Sequence, residues 1–223
     1  MRVLKFVAPA LALALAASCA SSDDGEEATT PDTTAEAVST ETCDTDRVGG
    51  AIRVGTAGLP AGIDPVATTG SASTGGIELI QFYDALMRYD PASGQYEPWV
   101  AESLEPNEDH TVWTLSLRDG VTFGNGDPLT ADAVKASLER YQELSRGPYK
   151  NLALKIESME VQDPQTLVLE LTESWAGFPF TLANGPGMIV NTAMVDERGE
   201  GFALEPTGAG VGAYEFVRYA AGE

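Results

Sequence analysis

Few residues in this chain have the type and spacing for covalent chemistry. His110 is the only histidine among 223 residues. It falls within Asn107–His110, a turn tip, and acid–base or ligand work would need a partner close by. A single histidine leaves no basis for a His-based metal site or a His-dependent triad. Cys19 and Cys43 are the only cysteines, too few for a disulfide scaffold. Glu170 and Glu173 stand among many scattered carboxylates, which read as solvated surface. No Gly-x-Ser-x-Gly or His-Glu-x-x-His run is present. The glycine-rich stretch Pro206–Gly212 would suit a tight backbone path, but no Lys-Ser/Thr follows it, which argues against a phosphate loop. The chain reads as a non-enzyme with no cofactor and no metal.

Composition narrows the partners. Asp and Glu total 34 against 13 Lys and Arg, a formal net charge of −21. Nucleic-acid binding needs a basic stripe, and none exists. The acidity speaks for solubility and repulsion of anions.

The elements that must carry any site centre on Trp113–Leu144. Trp113, Leu115 and Leu117 alternate with Thr114 and Ser116, as in a half-buried strand. Asp119-Gly120 and Asn125-Gly126 are turns flanking a short extended step, Val121–Phe123. Thr130 is a good N-cap for a helix from Ala131, with Asp132 in the first turn, where the dipole favours an acid. Val134, Leu138, Tyr141 and Leu144 form its apolar face, and Arg146-Gly147-Pro148 ends it. Two hairpins are expected, one around Asn107–His110 and one around Asp163–Gln165. Upstream, Gly50–Gly55 reads as a first strand. Ile77, Ile80, Tyr83 and Met87 read as a helix, with Tyr83 a core position. Downstream, Phe178–Leu182 reads as a short packed helix and Met188–Val190 as a buried strand. Thr192 is expected to cap a helix through Val195.

Residues 1–19 resemble a bacterial lipoprotein signal. Arg2 and Lys5 precede a short apolar core, too brief for a comfortable transmembrane helix, and Leu15-Ala16-Ala17-Ser18 leads to Cys19. The resemblance implies that Cys19 is the lipidated first residue; ordinary secretion with a free Cys19 is the alternative. Residues 20–48 are rich in Ser, Thr, Asp, Glu and Ala and lack aromatics. Such a segment cannot bury enough apolar area to offset its chain entropy and reads as a disordered acidic tether. Cys43 within it is either an incidental thiol or the partner of a cysteine beyond residue 223.

The run from Ala101 to Val134 has a further likeness. Ala101-Glu102-Ser103, Leu117-Arg118-Asp119-Gly120-Val121, Phe123, Gly126 and Leu129-Thr130-Ala131-Asp132-Ala133-Val134 stand in the order of a signature region. Asp64-Pro65, Tyr83–Pro91 and Gly208–Tyr214 add to it. The sequence resembles family 5 extracellular solute-binding proteins, the receptors of peptide, dipeptide and nickel-type ABC transporters. It departs from their pattern at Gly124-Asn125, Val211 and Ala213, and the resemblance implies a strand after the glycine-rich stretch. The resemblance implies a mixed α/β (α+β) fold, a periplasmic-binding-protein-like type II lobe. Because it runs from Gly49 to Glu223 and such proteins are longer, residues 49–223 are expected to be the N-terminal part of the first lobe, incomplete and weak in binding alone.

The implied function is capture of peptides or similar small solutes outside the membrane and delivery to an ABC permease and ATPase. The expected location is the extracytoplasmic face of the cell membrane, through the lipid anchor. Oligosaccharide, nickel chelate and opine-like solutes also remain open as ligands. Loops beside strand ends, where open sheets place clefts, nominate Gly58, Leu59, Ser73, Thr74, Asn184, Gly185 and Pro186 as ligand contacts. A cell-surface hydrolase and a surface interaction lipoprotein are the competing functions.

Overall fold

The computed structural model describes residues 49–55, 62–67 and 76–219. The signal segment, the tether, Cys19, Cys43, Gly58, Leu59, Ser73 and Thr74 lie outside the described residues. The chain divides into two units, Met1–Ala51 and Ile52–Glu223. In the first, Gly49, Gly50 and Ala51 are exposed and without regular structure.

The second unit is built on a four-stranded antiparallel sheet. Strands β3 (Ala101–Pro106), β4 (Val112–Leu117), β5 (Ile156–Asp163) and β6 (Thr166–Leu171) lie in the order β3-β4-β6-β5. A separate hairpin, β1 (Met87–Asp90) and β2 (Gln95–Pro98), precedes them. Both hairpins of the sheet turn where the sequence indicates. His110 takes φ 57 at its turn, a left-handed conformation that His and Asp enter more readily than bulky residues. Alternation sets the register. Leu115 faces Leu104 on one side and Leu167 on the other, and Trp113 faces Leu169. One face of the sheet therefore carries Leu104, Trp113, Leu115, Leu117, Leu167, Leu169 and Leu171, all buried. Each such side chain contributes about 1.5–3 kcal/mol on leaving water.

Helix α2 (Ala131–Leu144) packs Val134 and Leu138 into this core. Its Thr130 hydroxyl accepts from the Ala133 N–H at 3.3 Å, as an N-cap should. Leu144, expected on the apolar face, is exposed; the helix ends there and Ser145 begins extended backbone. Short helices α3 (Lys150–Ala153), α4 (Pro179–Leu182) and α5 (Thr192–Arg198) complete the unit, with 3-10 turns at Gly185–Gly187 and Gly199–Ala203. A second apolar cluster joins Ile63, Leu79, Tyr83, Met188, Val190, Met194, Phe202 and Ala209.

Several elements differ from the sequence reading. The first helix, α1 (Gly76–Tyr83), stops before Met87, because Asp84 adopts φ 55 and Met87 opens β1 instead. Ile77 is exposed, while Leu79 takes the buried position. Residues 50–55 form no strand, and neither do residues 215–219. A strand needs a ladder, and these segments belong to neither sheet of the described residues. Met188–Val190 is buried but not in a sheet. Asn191, not Thr192, caps α5: its side-chain oxygen accepts from the Ala193 N–H at 3.2 Å, and the helix continues past Val195 to Arg198.

Candidate functional site

Helix α2 meets two irregular stretches through three side chains, and a third stretch is held by the loop after β4 and by α1. Ser137, Arg140 and Tyr141 are three and four residues apart, so they share one flank of the helix.

Arg140 reaches residues 62–67. Its two terminal nitrogens donate to the two carboxylate oxygens of Asp64 at 3.0 and 2.5 Å, a bidentate pair. Both side chains are largely buried. The Val66 N–H donates to the same carboxylate at 3.1 Å. The guanidinium also lies 5.7 Å from the centre of the Phe202 ring. Next to the pair, the Tyr83 hydroxyl donates to the Ile63 carbonyl at 2.7 Å, and the Ile63 N–H donates to the Ala203 carbonyl at 2.7 Å. Burial, then the Asp64 charge, drives the Tyr83 phenol far above its ordinary pKa, so it remains a donor at any physiological pH.

Ser137 and Tyr141 meet the stretch 184–191. The Val190 N–H donates to the Ser137 hydroxyl at 3.0 Å. Gly185 lies so close to Tyr141 that a Cβ there would stand 2.6 Å from the phenolic oxygen. Gly187 backs onto the Leu182 carbonyl just as tightly. Gly185 and Pro186 are thus buried, while Asn184 is half-exposed and donates its side-chain amide to the Phe180 carbonyl at 2.8 Å.

The glycine-rich stretch is held differently. The Gly124 N–H donates to the Gly210 carbonyl at 2.9 Å, and the Asn125 N–H to the Gly208 carbonyl at 3.0 Å. The Gly212 N–H donates to the Phe82 carbonyl at 2.8 Å. A side chain at Gly210 or Gly212 would collide with the backbone of α1, so this path requires glycine. Asp127 ties the turn to α5, accepting from the Asn125 amide at 2.6 Å and the Asn191 amide at 2.9 Å. A small cavity of about 110 Å³ lies between this stretch and Phe82.

An open groove of about 290 Å³ runs beside α1, lined by Ile80, Gln81, Met87, Arg88, Trp99 and Tyr214 among others. Trp99 and Tyr214 are exposed, and the Arg88 guanidinium stacks 4.1 Å from the Trp99 ring centre. Ile52, Val54 and Val217 are also exposed, the first at 91%.

Among the described residues, no three His, Cys, Asp or Glu side chains converge to hold a metal. His110 packs at a tilt on Trp113, ring centres 5.9 Å apart. The sequence reading missed Asp64–Arg140, Ser137 and the Asp127–Asn191 contact. Asp64-Pro65 was visible as a pair, but Arg140 looks like any polar helix residue until the fold brings it to Asp64.

Comparison with known proteins places this geometry. The fold is a periplasmic-binding-protein-like type II lobe, incomplete relative to the structures it matches. The PBP AgaA from A. tumefaciens R10, solved in complex with agropinic acid, superposes with a TM-score of 0.64 at 27% identity, over 74% of this chain and 33% of that one. Residues 95–223, more than half of the chain, match bacterial extracellular solute-binding proteins, family 5 Middle, and the chain belongs to that family. The probable D,D-dipeptide-binding periplasmic protein DdpA of Escherichia coli K12 is 31% identical over 149 residues, 63% of this chain and 28% of that protein. The nickel-binding periplasmic protein of the same organism is 33% identical over 98 residues, 44% of this chain and 18% of that protein. The chain thus spans less than a third of these curated relatives' own length. Among the described residues, no helix is long and apolar enough to cross a membrane.

Proposed function

We propose that this chain is part of the substrate-binding component of an ABC importer. It captures a peptide or similar small solute outside the membrane and delivers it to a permease, with no covalent step. The family match over residues 95–223 carries the reading. Residues 49–223 are then the N-terminal part of the first lobe. Residues 20–48 are a tether and Cys19 a lipid anchor, two acyl chains being enough for stable attachment. Gly58, Leu59, Ser73, Thr74 and Asn184 are the proposed ligand contacts, with Gly185 and Pro186 shaping the loop that presents Asn184.

The test is thermal stabilisation of the full-length protein by a panel of probes: D-alanyl-D-alanine, a mixture of tripeptides, a nickel(II) chelate and agropinic acid. A ligand at about 100 times its Kd adds about 2.7 kcal/mol to the native state. One probe class should raise Tm. Release of product from a labelled peptide would replace the receptor reading with a hydrolase. Loss of radiolabelled palmitate incorporation in a Cys19→Ser variant would support the anchor, and unchanged incorporation would refute it.

A further inference from the structure

The chain contains two Asn-Gly pairs, Asn125-Gly126 and Asn184-Gly185. An asparagine followed by glycine can modify itself. The glycine nitrogen attacks the side-chain carbonyl carbon, and a succinimide ring closes. Glycine permits this best, because it has no Cβ to hinder the approach. The fold treats the two pairs differently.

Asn125-Gly126 is locked. The nitrogen that would attack belongs to Gly126, whose N–H donates to the Phe123 carbonyl at 2.8 Å, and the Asn125 N–H donates to the Gly208 carbonyl at 3.0 Å. The Asn125 amide donates to the Asp127 carboxylate at 2.6 Å, and its oxygen accepts from the Asp127 N–H at 3.0 Å. Ring closure would disturb these bonds. It would also build negative charge on the amide oxygen next to the Asp127 carboxylate, and like charges at such range repel.

Asn184-Gly185 is arranged for the reaction. Asn184 has extended backbone, with ψ −162. At that angle the Gly185 nitrogen comes close to eclipsing the Asn184 Cβ, the side from which it reaches Cγ. The Gly187 N–H donates to the Asn184 carbonyl at 2.8 Å. That carbonyl belongs to the peptide group whose nitrogen attacks. A hydrogen bond to it strengthens as the group becomes anionic, which favours loss of the Gly185 proton. The Asn184 side-chain nitrogen, the leaving atom, donates to the Phe180 carbonyl at 2.8 Å, a bond that ammonia can also make. Both partners are neutral backbone groups, and Asn184 is half-exposed to water.

We propose that Asn184-Gly185 is a site of spontaneous deamidation in the folded protein. The Gly185 nitrogen gives its proton to water or hydroxide and bonds to Cγ. The Cγ–Nδ2 bond breaks, and the departing nitrogen takes up a proton and leaves as ammonia. Water then opens the succinimide at one carbonyl or the other, leaving aspartate or isoaspartate. Water is consumed, ammonia is released and nothing is oxidised. The product carboxylate cannot donate to the Phe180 carbonyl. Isoaspartate also adds a methylene to the main chain just before Gly185, which is seated against Tyr141.

The test is slow ageing of the full-length protein in neutral and in mildly alkaline buffer, then tryptic digestion and mass spectrometry. Trypsin places Asn125 in residues 119–135 and Asn184 in residues 156–198. Fragmentation assigns the amide-to-acid mass gain to Asn184 or to Asn191. Conversion at Asn184 should outrun that at Asn125 by about tenfold or more, the rate equivalent of the hydrogen bonds that Asn125-Gly126 must give up. It should quicken in alkali, and Asn184→Gln should abolish the signal at that position. In concentrated urea, where neither pair keeps its geometry, the two should age at similar rates. Asn125 converting as fast as Asn184 in the native protein overturns the proposal, and so does an Asn184 that ages in urea but not in the folded chain. A tenfold gap that persists in urea overturns it as well, because the fold would not be its source.

Discussion

Replacing Gly185 by alanine asks whether the loop before Met188 is held by packing. The backbone at Gly185 is outside the left-handed region, so alanine is conformationally allowed there. By chain entropy alone it would stabilise by about 0.4–1 kcal/mol. The added Cβ, however, would stand 2.6 Å from the Tyr141 oxygen, 3.2 Å from its Cζ and 3.3 Å from its Cε2. Carbon atoms prefer about 3.5–4.0 Å, so the ring or the loop must move. Overpacking of this kind costs about 1–3 kcal/mol. At roughly 2–4 °C per kcal/mol for a chain of this size, Tm should fall by several degrees. The obstacle is mainly one atom. The Tyr141 hydroxyl is buried and finds no hydrogen-bond partner among the described residues. Burial pushes its pKa up; the nearby Ser145 hydroxyl pulls it partly back without reaching bonding geometry. Tyr141→Phe should therefore be neutral or stabilising, since a buried unsatisfied group is costly. In the Phe background Gly185→Ala should cost under about 1 kcal/mol, a coupling of about 1–2 kcal/mol in the double-mutant cycle. Urea unfolding followed by circular dichroism measures all four corners. Additivity within about 0.5 kcal/mol, or a Tyr141→Phe loss above about 1 kcal/mol, would refute the packing argument.

Thr130→Ala removes the cap of α2 and should cost about 1 kcal/mol in the same assay, with Thr130→Ser close to wild type. Leu115→Ala, at the centre of the sheet between Leu104 and Leu167, should cost about 2–5 kcal/mol. Asp109, whose carboxylate accepts from the Thr111 hydroxyl at 2.6 Å and from the Thr111 N–H, should titrate below 3.8 by NMR. Its folded pKa is the lower one, so its stabilising contribution is present above pH 3.8 and is lost as pH falls through the folded value. A normal titration would mean that the turn bonds do not persist in solution.

The sheet was legible because its signals are local. Period-two alternation in Trp113–Leu117 and Thr166–Leu171 and the turn residues between hairpin arms need no knowledge of the rest. Thr130 was legible as a cap for the same reason. The errors fall where neighbours in space decide. Met87 continues the helical spacing of Ile80 and Tyr83, yet Asp84 turns left-handed and the residue pairs with Pro98 in a hairpin. Met188–Val190 has strand composition, but its backbone is met by the Ser137 hydroxyl instead of a ladder. Asn191 out-competes Thr192 as a cap because its amide is already oriented by Asp127.

By itself the sequence determined the family, the two hairpins and α2 with its cap. All of these depend on residues close together in the chain or on their order. Only the tertiary structure decided that Arg140 meets one stretch while Ser137 and Tyr141 meet another, and that Gly185 and Pro186 turn inward while Asn184 keeps a surface. Those outcomes join residues many positions apart, whose distance is set by how the helix lies on the sheet and by nothing written locally.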